Sequence, residues 1–456
     1  MAVIPFLSPS KDDVLFIGCR GRCFAPKVRR LIALDTLTWF LIILQSVPSV
    51  RRSLPCELAS PLPPEIKFLM QDFRLMVNKS IRFAMENNLT AKGSLVKLAQ
   101  SMAKEYHLNF QHARTATEVA LSLSKGHRRR LRKGKECKLP YVYKPFLRAD
   151  DSTFHVSMEN GHVRLSIRAG EWSGFDLILS SYHLDALASG KVKQLTLNEK
   201  KAVLVIEKEA PEQYVPSLVI ALDTNERSLD GVSLSSYGVV PITVPFPDVS
   251  IVQHRHFVRR RKLARKKRRD RRVGRMLLSK EGKREHDRVS QRLHLVSKGL
   301  VRAAEQAQAA IVLEDLRLPR GGGRGRRMRR RISSWPQREL HRQIEYKAEE
   351  LGVPVIKVDP RYTSKTCPRC GEIKQRRSRV GRVFVCDKCG WRMDRQLNAG
   401  LNICRTALAE LPEAMRRGLG GLRLDPDALA DDTMILLYSS GSAGAHGVSG
   451  RPGNTR

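Results

Sequence analysis

The sequence predicts an α/β multidomain protein, and three observations carry that prediction. Two apolar runs, 217–222 and 309–313, end abruptly in acids at Asp223 and Glu314. Such runs suit buried strands of an α/β sheet that deliver ligands at its carboxyl edge. Cys367-Pro-Arg-Cys370 and Cys386-Asp-Lys-Cys389 stand fifteen residues apart. At that spacing two short knuckles place four thiolates around one tetrahedral Zn²⁺. Finally, 456 residues exceed one ordinary domain and suggest about three, at roughly 150 residues each.

Composition narrows the partners. The formal net charge is +38, from 83 Lys and Arg against 45 Asp and Glu. A surface that positive calls for a polyanion, of which nucleic acid is the commonest. Hydrophobic residues at 41% still allow real cores, which excludes a purely disordered basic tail. A ribosomal or chromatin protein would share the charge but has no use for the spaced carboxylates.

In chain order, residues 1–64 match no neighbouring pattern. Leu31–Val47 is apolar and follows Lys27, Arg29 and Arg30, but it falls short of the ~20 residues of a membrane span and contains Asp35. It also begins too late for a signal peptide. A translation start placed too far upstream fits it better than an anchor, so residues 1–60 are expected to be dispensable. Cys19, Cys23 and Cys56 receive no role.

From residue 65 to 140 the pattern is helical. Ile66, Leu69, Met70, Phe73, Val77, Ile81 and Ala84 share one face of a 3.6-residue period. Leu95, Leu98, Ala99 and Met102 repeat it, and Asn109 is placed to cap a third helix bearing Phe110, Ala113, Ala116, Ala120 and Leu123. Residues 141–212 read as strands, with a hairpin at Asn160-Gly161 where both turn residues tolerate positive φ. His155, His162 and His183 have no ligand-like company and read as surface or packing residues.

Residues 213–365 return to α/β character. Between the two acids lies the cationic run 254–275. Like charges on one helix repel, so Arg259, Arg260, Arg261, Lys262, Arg265, Lys266 and Lys267 are expected to meet phosphates. His254-Arg-His256 lacks the apolar spacer and downstream tyrosine of a paired-histidine nuclease. A Gly-Arg loop over 320–331 supplies Arg324, Arg326 and Arg327 as further phosphate contacts. Helix is expected over 334–351 and strand over 353–358. The cysteine segment occupies 366–392, with a strand near 380–385. Asp394 heads an amphipathic helix within 393–410, and 411–456 is expected to be disordered. Disulfides suit the cysteines poorly, since the total of nine is odd and the other five are scattered.

The ordered set LDTNERS, VLEDL, YTSKTCPRCG, CDKCG and MDRQLNAGLNI resembles the TnpB (OrfB-type) transposon-encoded nucleases and the compact type V CRISPR effectors related to them. The specific match runs from about 218 to 408. The resemblance implies an RNase H-like (RuvC-type) nuclease domain over 213–365 and 393–410, with an inserted zinc ribbon at 366–392. It further implies a β-barrel wedge domain over 141–212 and a helical recognition lobe over 65–140. Two departures stand out: Thr224-Asn225 follows the first acid, and Gln396 occupies a place where relatives often carry a second acid.

By that resemblance Asp223, Glu314 and Asp394 hold two Mg²⁺ ions, with Asp223 bridging both, and one structural zinc sits on Cys367, Cys370, Cys386 and Cys389. Two such ions activate a water and stabilise the leaving oxygen in phosphodiester hydrolysis. The expected partners are a guide RNA and target DNA, with sequence read by base pairing. A cytoplasmic, nucleoid-associated protein without a membrane anchor follows. The alternatives are a guide-dependent or nonspecific DNA-binding protein that does not cut, or an accessory transposase component. None of the three acids is lost, which favours the nuclease.

Overall fold

A computed structural model describes residues 49–168, 170–266, 270–315, 325, 335–374, 382–431 and 433–435. The apolar run 31–47, Lys267, the arginines of the 320–331 loop (Arg324, Arg326 and Arg327) and the expected disordered end at 441–456 lie outside those residues. Two sheets organise the described chain.

The first sheet has seven strands: β1 (Ser49–Leu58), β2 (Leu147–Asp150), β3 (Phe154–Val156), β4 (His162–Arg168), β5 (Glu171–Ile178), β6 (Lys191–Leu197) and β7 (Lys201–Glu209). Their order is β2-β6-β7-β1-β5-β4-β3. The two ends of that order are joined by only residues 151–153, which reach about 14 Å when extended. A flat seven-stranded sheet would be about 29 Å across, so the sheet is rolled. Helices α1 (Pro64–Glu86), α2 (Val96–Glu105) and α3 (Phe110–Leu131) lie between β1 and β2 in the chain. Asn109 caps α3 by accepting from Gln111 N–H at 3.0 Å. A short helix α4 (Ser181–Ala188) follows β5.

Helices and sheet share one core. Ile66, Phe73 and Ala116 pack in the same cluster as Leu54, Leu147 and Leu165, and Phe73 meets Phe146 edge to face at 5.2 Å between centroids. Asn78, buried on α1, imitates a strand for Val142: its amide donates to the carbonyl at 3.0 Å and accepts the N–H at 2.8 Å. The expected boundary at 140/141 is therefore a change of secondary structure inside one core.

The expected extension over 1–64 is corrected more sharply. β1 lies inside the sheet, paired with β7 from Ser49↔Glu209 to Glu57↔Lys201. Leu54 and Cys56 are fully buried. Pro55 hid this strand, because proline within a run argues against a central strand. It is accommodated because β5 joins β1 only at Glu57 and Leu58. The 160–161 turn differs too. Gly161 takes φ of +70°, while Asn160 instead accepts the His162 N–H with its side chain.

The second sheet contains β8 (Leu218–Thr224), β9 (Ser228–Ser235), β10 (Gly238–Pro245), β11 (Ala309–Glu314) and β12 (Val355–Val358), with β15 (Met434–Ile435) at one edge. The order is β12-β11-β8-β9-β10-β15. β8, β9 and β10 form an antiparallel meander; β11 runs parallel to β8 and β12 parallel to β11. Helices α5 (Val249–Lys266), α6 (Arg271–Gln306) and α7 (Gln337–Leu351) supply one covering layer, against Ile220, Leu222, Ile311 and Leu313. Helix α8 (Arg395–Ala409) covers the other face, against Val219, Ala221, Ala310 and Val312. Between β12 and α8 a two-stranded ribbon forms from β13 (Val383–Val385) and β14 (Arg392–Asp394).

The expected disordered tail from 411 does not begin there. Helix α9 (Glu413–Leu419) follows α8, and Leu411, Met415, Leu419 and Leu422 enter the α8-side core. Short segments with little periodicity concealed this packing.

Removal of β1 tests the architecture. A chain beginning at residue 61 is expected to lose cooperative unfolding and solubility, and Leu54→Ala in the full chain to cost about 2–5 kcal/mol. Thermal and urea melts followed by circular dichroism check both; a truncated chain that melts like the full one would show β1 to be dispensable.

Candidate active site

Strand register builds the acidic centre. Leu313 pairs with Leu222 across parallel β11 and β8, so Glu314 and Asp223 fall side by side at the carboxyl ends of neighbouring strands. Alternation along a strand then selects their face. Val219 and Ala221 face α8, and so does Asp223; Ala310 and Val312 do likewise, and so does Glu314. On the other side of Asp223, antiparallel β9 places Asp230 directly opposite it.

Glu314 and Asp230 are buried and Asp223 partly so, and negative charge is crowded there. Glu314 is 5% exposed, and Thr363 Oγ1 donates to its Oε1 at 2.6 Å. Burial, then the adjacent Glu314 and Asp230, push the Asp223 carboxyl up to about 7; hydrogen bonds from Thr224 and Asn225 oppose the shift. Burial also raises Glu314, against hydrogen bonds from Thr363 and Asp223. Both carboxyls are thus held above their ordinary values. Asp230 differs: Thr243 and Asn225 donate to it at 3.0 Å each, and Ser228 donates as well. Thr224 points to the opposite face, where His341 Nε2 lies 2.8 Å from its hydroxyl. Burial lowers His341 to about 4, so the ring is neutral.

Asp394 ends β14 and is the N-cap of α8, its Oδ1 accepting from Gln396 N–H at 2.7 Å. Helix α8 lies on the face that carries Asp223 and Glu314, in close contact with the sheet. A Cβ on Gly400 would stand 2.5 Å from the Gly231 Cα, and one on Gly231 would stand 1.9 Å from the Ala221 carbonyl oxygen. Asp394 therefore heads the covering helix, but the three acids do not form a ligand cluster. Among the described residues, the cysteine quartet alone brings three or more donors within 4.8 Å of one another.

The quartet fits a tetrahedral ion. Cys367 and Cys389 sulfurs are 3.6 Å apart, as are those of Cys370 and Cys386, close to the ~3.8 Å edge that follows from Zn–S bonds of about 2.3 Å. Each knuckle closes on a glycine in the left-handed region, Gly371 at φ +77° and Gly390 at +73°. Each donates its N–H to the carbonyl of its first cysteine, at 2.9 and 3.1 Å. Burial raises the Cys367 thiol to about 12. Burial also raises Cys386, but the N–H groups of Cys389 and Lys388, aided by the neighbouring sulfurs, bring it down to about 7.

Several supports went unassigned in the sequence. Asn402 Nδ2 lies 2.8 Å from the carbonyls of Thr363 and Thr366, and Asn398 donates to Thr366 at 3.0 Å. A relay thus runs from α8 through Thr363 to Glu314. YTSKTC and LNAGLN were visible as motifs, but nothing in their spacing said that they touch. Of the cationic run, Arg259 reaches Glu281 at 3.8 Å and Arg260 pairs with Glu285. Arg261 lies over the Phe257 ring, while Lys262 and Arg265 are exposed and the Lys266 side chain lies outside the described residues.

Comparison with known proteins bears on this arrangement. Residues 338–403 match the family model described as Cas12f1-like, TNB domain. A TnpB-like protein of Methanocaldococcus jannaschii is 25% identical over 54% of this chain and 90% of its own length. A CRISPR-associated endodeoxyribonuclease Cas12f1 of Sulfoacidibacillus thermotolerans is 38% identical over 22% of this chain, and the match spans 23% of that relative. These matches make the chain similar to TnpB-like proteins and compact type V effectors. Its fold agrees: the cryo-EM structure of a Cas12f1–sgRNA–target DNA complex aligns with TM-score 0.54 at 16% identity, over 74% of this chain and 82% of that one.

Two outcomes follow from the family site. Protein purified without chelator is expected to carry one zinc, and Cys367→Ser with Cys386→Ser to lose it while unfolding only the ribbon. Metal analysis and hydrogen exchange read these, and a metal-free wild type would refute the assignment. The second outcome concerns Asp223. Its folded value lies above its ordinary 3.8, so its contribution to stability is full below about pH 4 and lost as pH rises through about 7. Metal-free Asp223→Asn should therefore melt several degrees above wild type at pH 8, with the gap closing toward pH 4. Equal melting temperatures at both pH values would contradict it.

Proposed function

We propose that the chain is an RNA-guided DNA endonuclease of the transposon-associated TnpB type, which cleaves by metal-dependent phosphodiester hydrolysis. The observation that carries this reading is the pair of partly buried Asp223 and buried Glu314, set side by side by strand register in a strongly cationic protein. Two carboxylates side by side suit hard divalent cations, which prefer oxygen ligands. Mg²⁺ bound here would activate water and stabilise the leaving oxygen.

The chain's residues divide the remaining work. Asp223 and Glu314 would hold the cations; Thr363 fixes the Glu314 carboxylate; Asp394, at the head of α8, is assigned as third acid from its place in the motif order. We assign the meander with its parallel flank to an RNase H-like (RuvC-type) domain. The quartet and β13–β14 form its inserted zinc ribbon, and the rolled sheet with α1–α3 forms the wedge and recognition parts. Guide RNA and target DNA are the proposed partners, with Lys262, Arg265 and the cationic hairpin on phosphates. A guided binder that does not cut is the second reading, favoured by the engagement of Asp394 in capping α8.

Asp223→Ala separates the two. In the complex with guide RNA, cleavage of matched DNA is expected to fall by orders of magnitude, while binding at fixed salt stays within a few-fold. Glu314→Ala and Asp394→Ala should behave alike, and chelation of Mg²⁺ should mimic them. A wild-type complex that binds but never cuts would establish the second reading; undiminished cutting by the Asp223 variant would place the active site elsewhere.

A further inference from the structure

Tyr362 belongs to the YTSKTC motif, yet the assigned chemistry gives it no task. Its backbone adopts φ of +62°, a genuine outlier for a bulky side chain. The other non-glycine residues with positive φ among those described are Asn88, His107, Asp248 and Gln308. Three of these are types that tolerate the region well. The ring does not compensate by burial, since Tyr362 is 55% exposed.

The backbone around it is held firmly. The Tyr362 carbonyl accepts from Lys365 N–H at 2.8 Å, and from Thr366 N–H and Oγ1 at 2.9 Å each. The next residue is Thr363, whose hydroxyl holds Glu314 and whose carbonyl is held by Asn402. A costly conformation thus fixes an outward-facing ring one residue from the support of a buried acid. Arg361 and Lys365 flank it, the former exposed and the latter partly so. An aromatic platform between cations is the combination that binds single-stranded nucleic acid, rings taking bases and cations taking phosphates. Strain kept at a site edge points toward function.

We propose that Tyr362 is a substrate-positioning residue whose ring stacks on an unpaired base of the strand presented to Asp223 and Glu314. The inference rests on the nuclease reading of that pair. Stacking tolerates any base, which agrees with specificity residing in guide pairing. A tyrosine that merely closed a turn would be better replaced by glycine or asparagine, which accept this φ with less strain.

The test uses Tyr362→Gly, Tyr362→Asn and Tyr362→Phe in the full chain with its copurifying RNA. The first two are expected to melt no lower than wild type, yet to raise KM for a single-stranded DNA oligonucleotide by roughly tenfold to a hundredfold. Tyr362→Phe should restore KM. Independently, an oligonucleotide carrying 5-iododeoxyuridine, irradiated with wild type in Ca²⁺, should crosslink to Tyr362. A crosslink in a wild type that never cuts would remove the hydrolysis reading but keep the stacking. Unchanged KM in the glycine and asparagine variants, or crosslinks that avoid Tyr362, would overturn the proposal.

Discussion

Two carboxylates side by side on neighbouring parallel strands, Glu314 buried and Asp223 partly so, set the terms for the second sheet of this chain. Desolvation and mutual repulsion disfavour the pair as anions, and Asp223 accordingly holds its proton to about pH 7. Such an arrangement persists only where the surrounding sheet is strong enough to impose it. Here every residue of β11 is buried, as are five of the seven in β8. The register that aligns Leu222 with Leu313 leaves the two acids no way to separate without unpairing the strands.

The covering layer answers the same constraint. Helix α8 can lie directly on the sheet because Gly400 has no Cβ to strike the Gly231 backbone. That closeness lets Asn398 and Asn402 reach the 363–366 turn and, through Thr363, fix one oxygen of Glu314. The cysteine knuckles belong to this construction as well. β14 runs without a break into α8, so Asp394 is simultaneously the last residue of the ribbon and the cap of the helix. Folding of the quartet and placement of Asp394 are thereby linked.

What the sequence disclosed follows from how local each signal was. The strand-end acids, the knuckles, Asn109 as a cap and the buried face of α1 are all written within a few residues, and each holds. β1 was hidden because Pro55 breaks the local rule, and only long-range pairing with β7 makes the segment a strand. The α9 region was hidden because its core contacts, Met415 and Leu419, come from a helix of seven residues. Thr363 and Asp230 were illegible for another reason: each matters through a partner tens of residues away or on the next strand, and no periodicity encodes that. Asp394 was legible as an acid at a helix start; that it caps the helix, and does not converge with the other two, required coordinates.

The distribution of charge refines the meaning of the net +38. The α5 run is not a bare cationic rod, because Glu281 and Glu285 of α6 take up Arg259 and Arg260. His256 and Glu281 form a buried pair at 2.7 Å, 1% and 5% exposed. Burying such a pair contributes little net stability, but it fixes one register between α5 and α6. The arginine contacts reach acids whose side chains are only 6% and 12% exposed, so they are not the freely solvated pairs worth about 0–1 kcal/mol. Lys262 and Arg265 stay exposed, while the buried pair ties α5 to α6. The run is therefore a helix tied to acids of its neighbour, which a flexible basic arm of equal charge would not be.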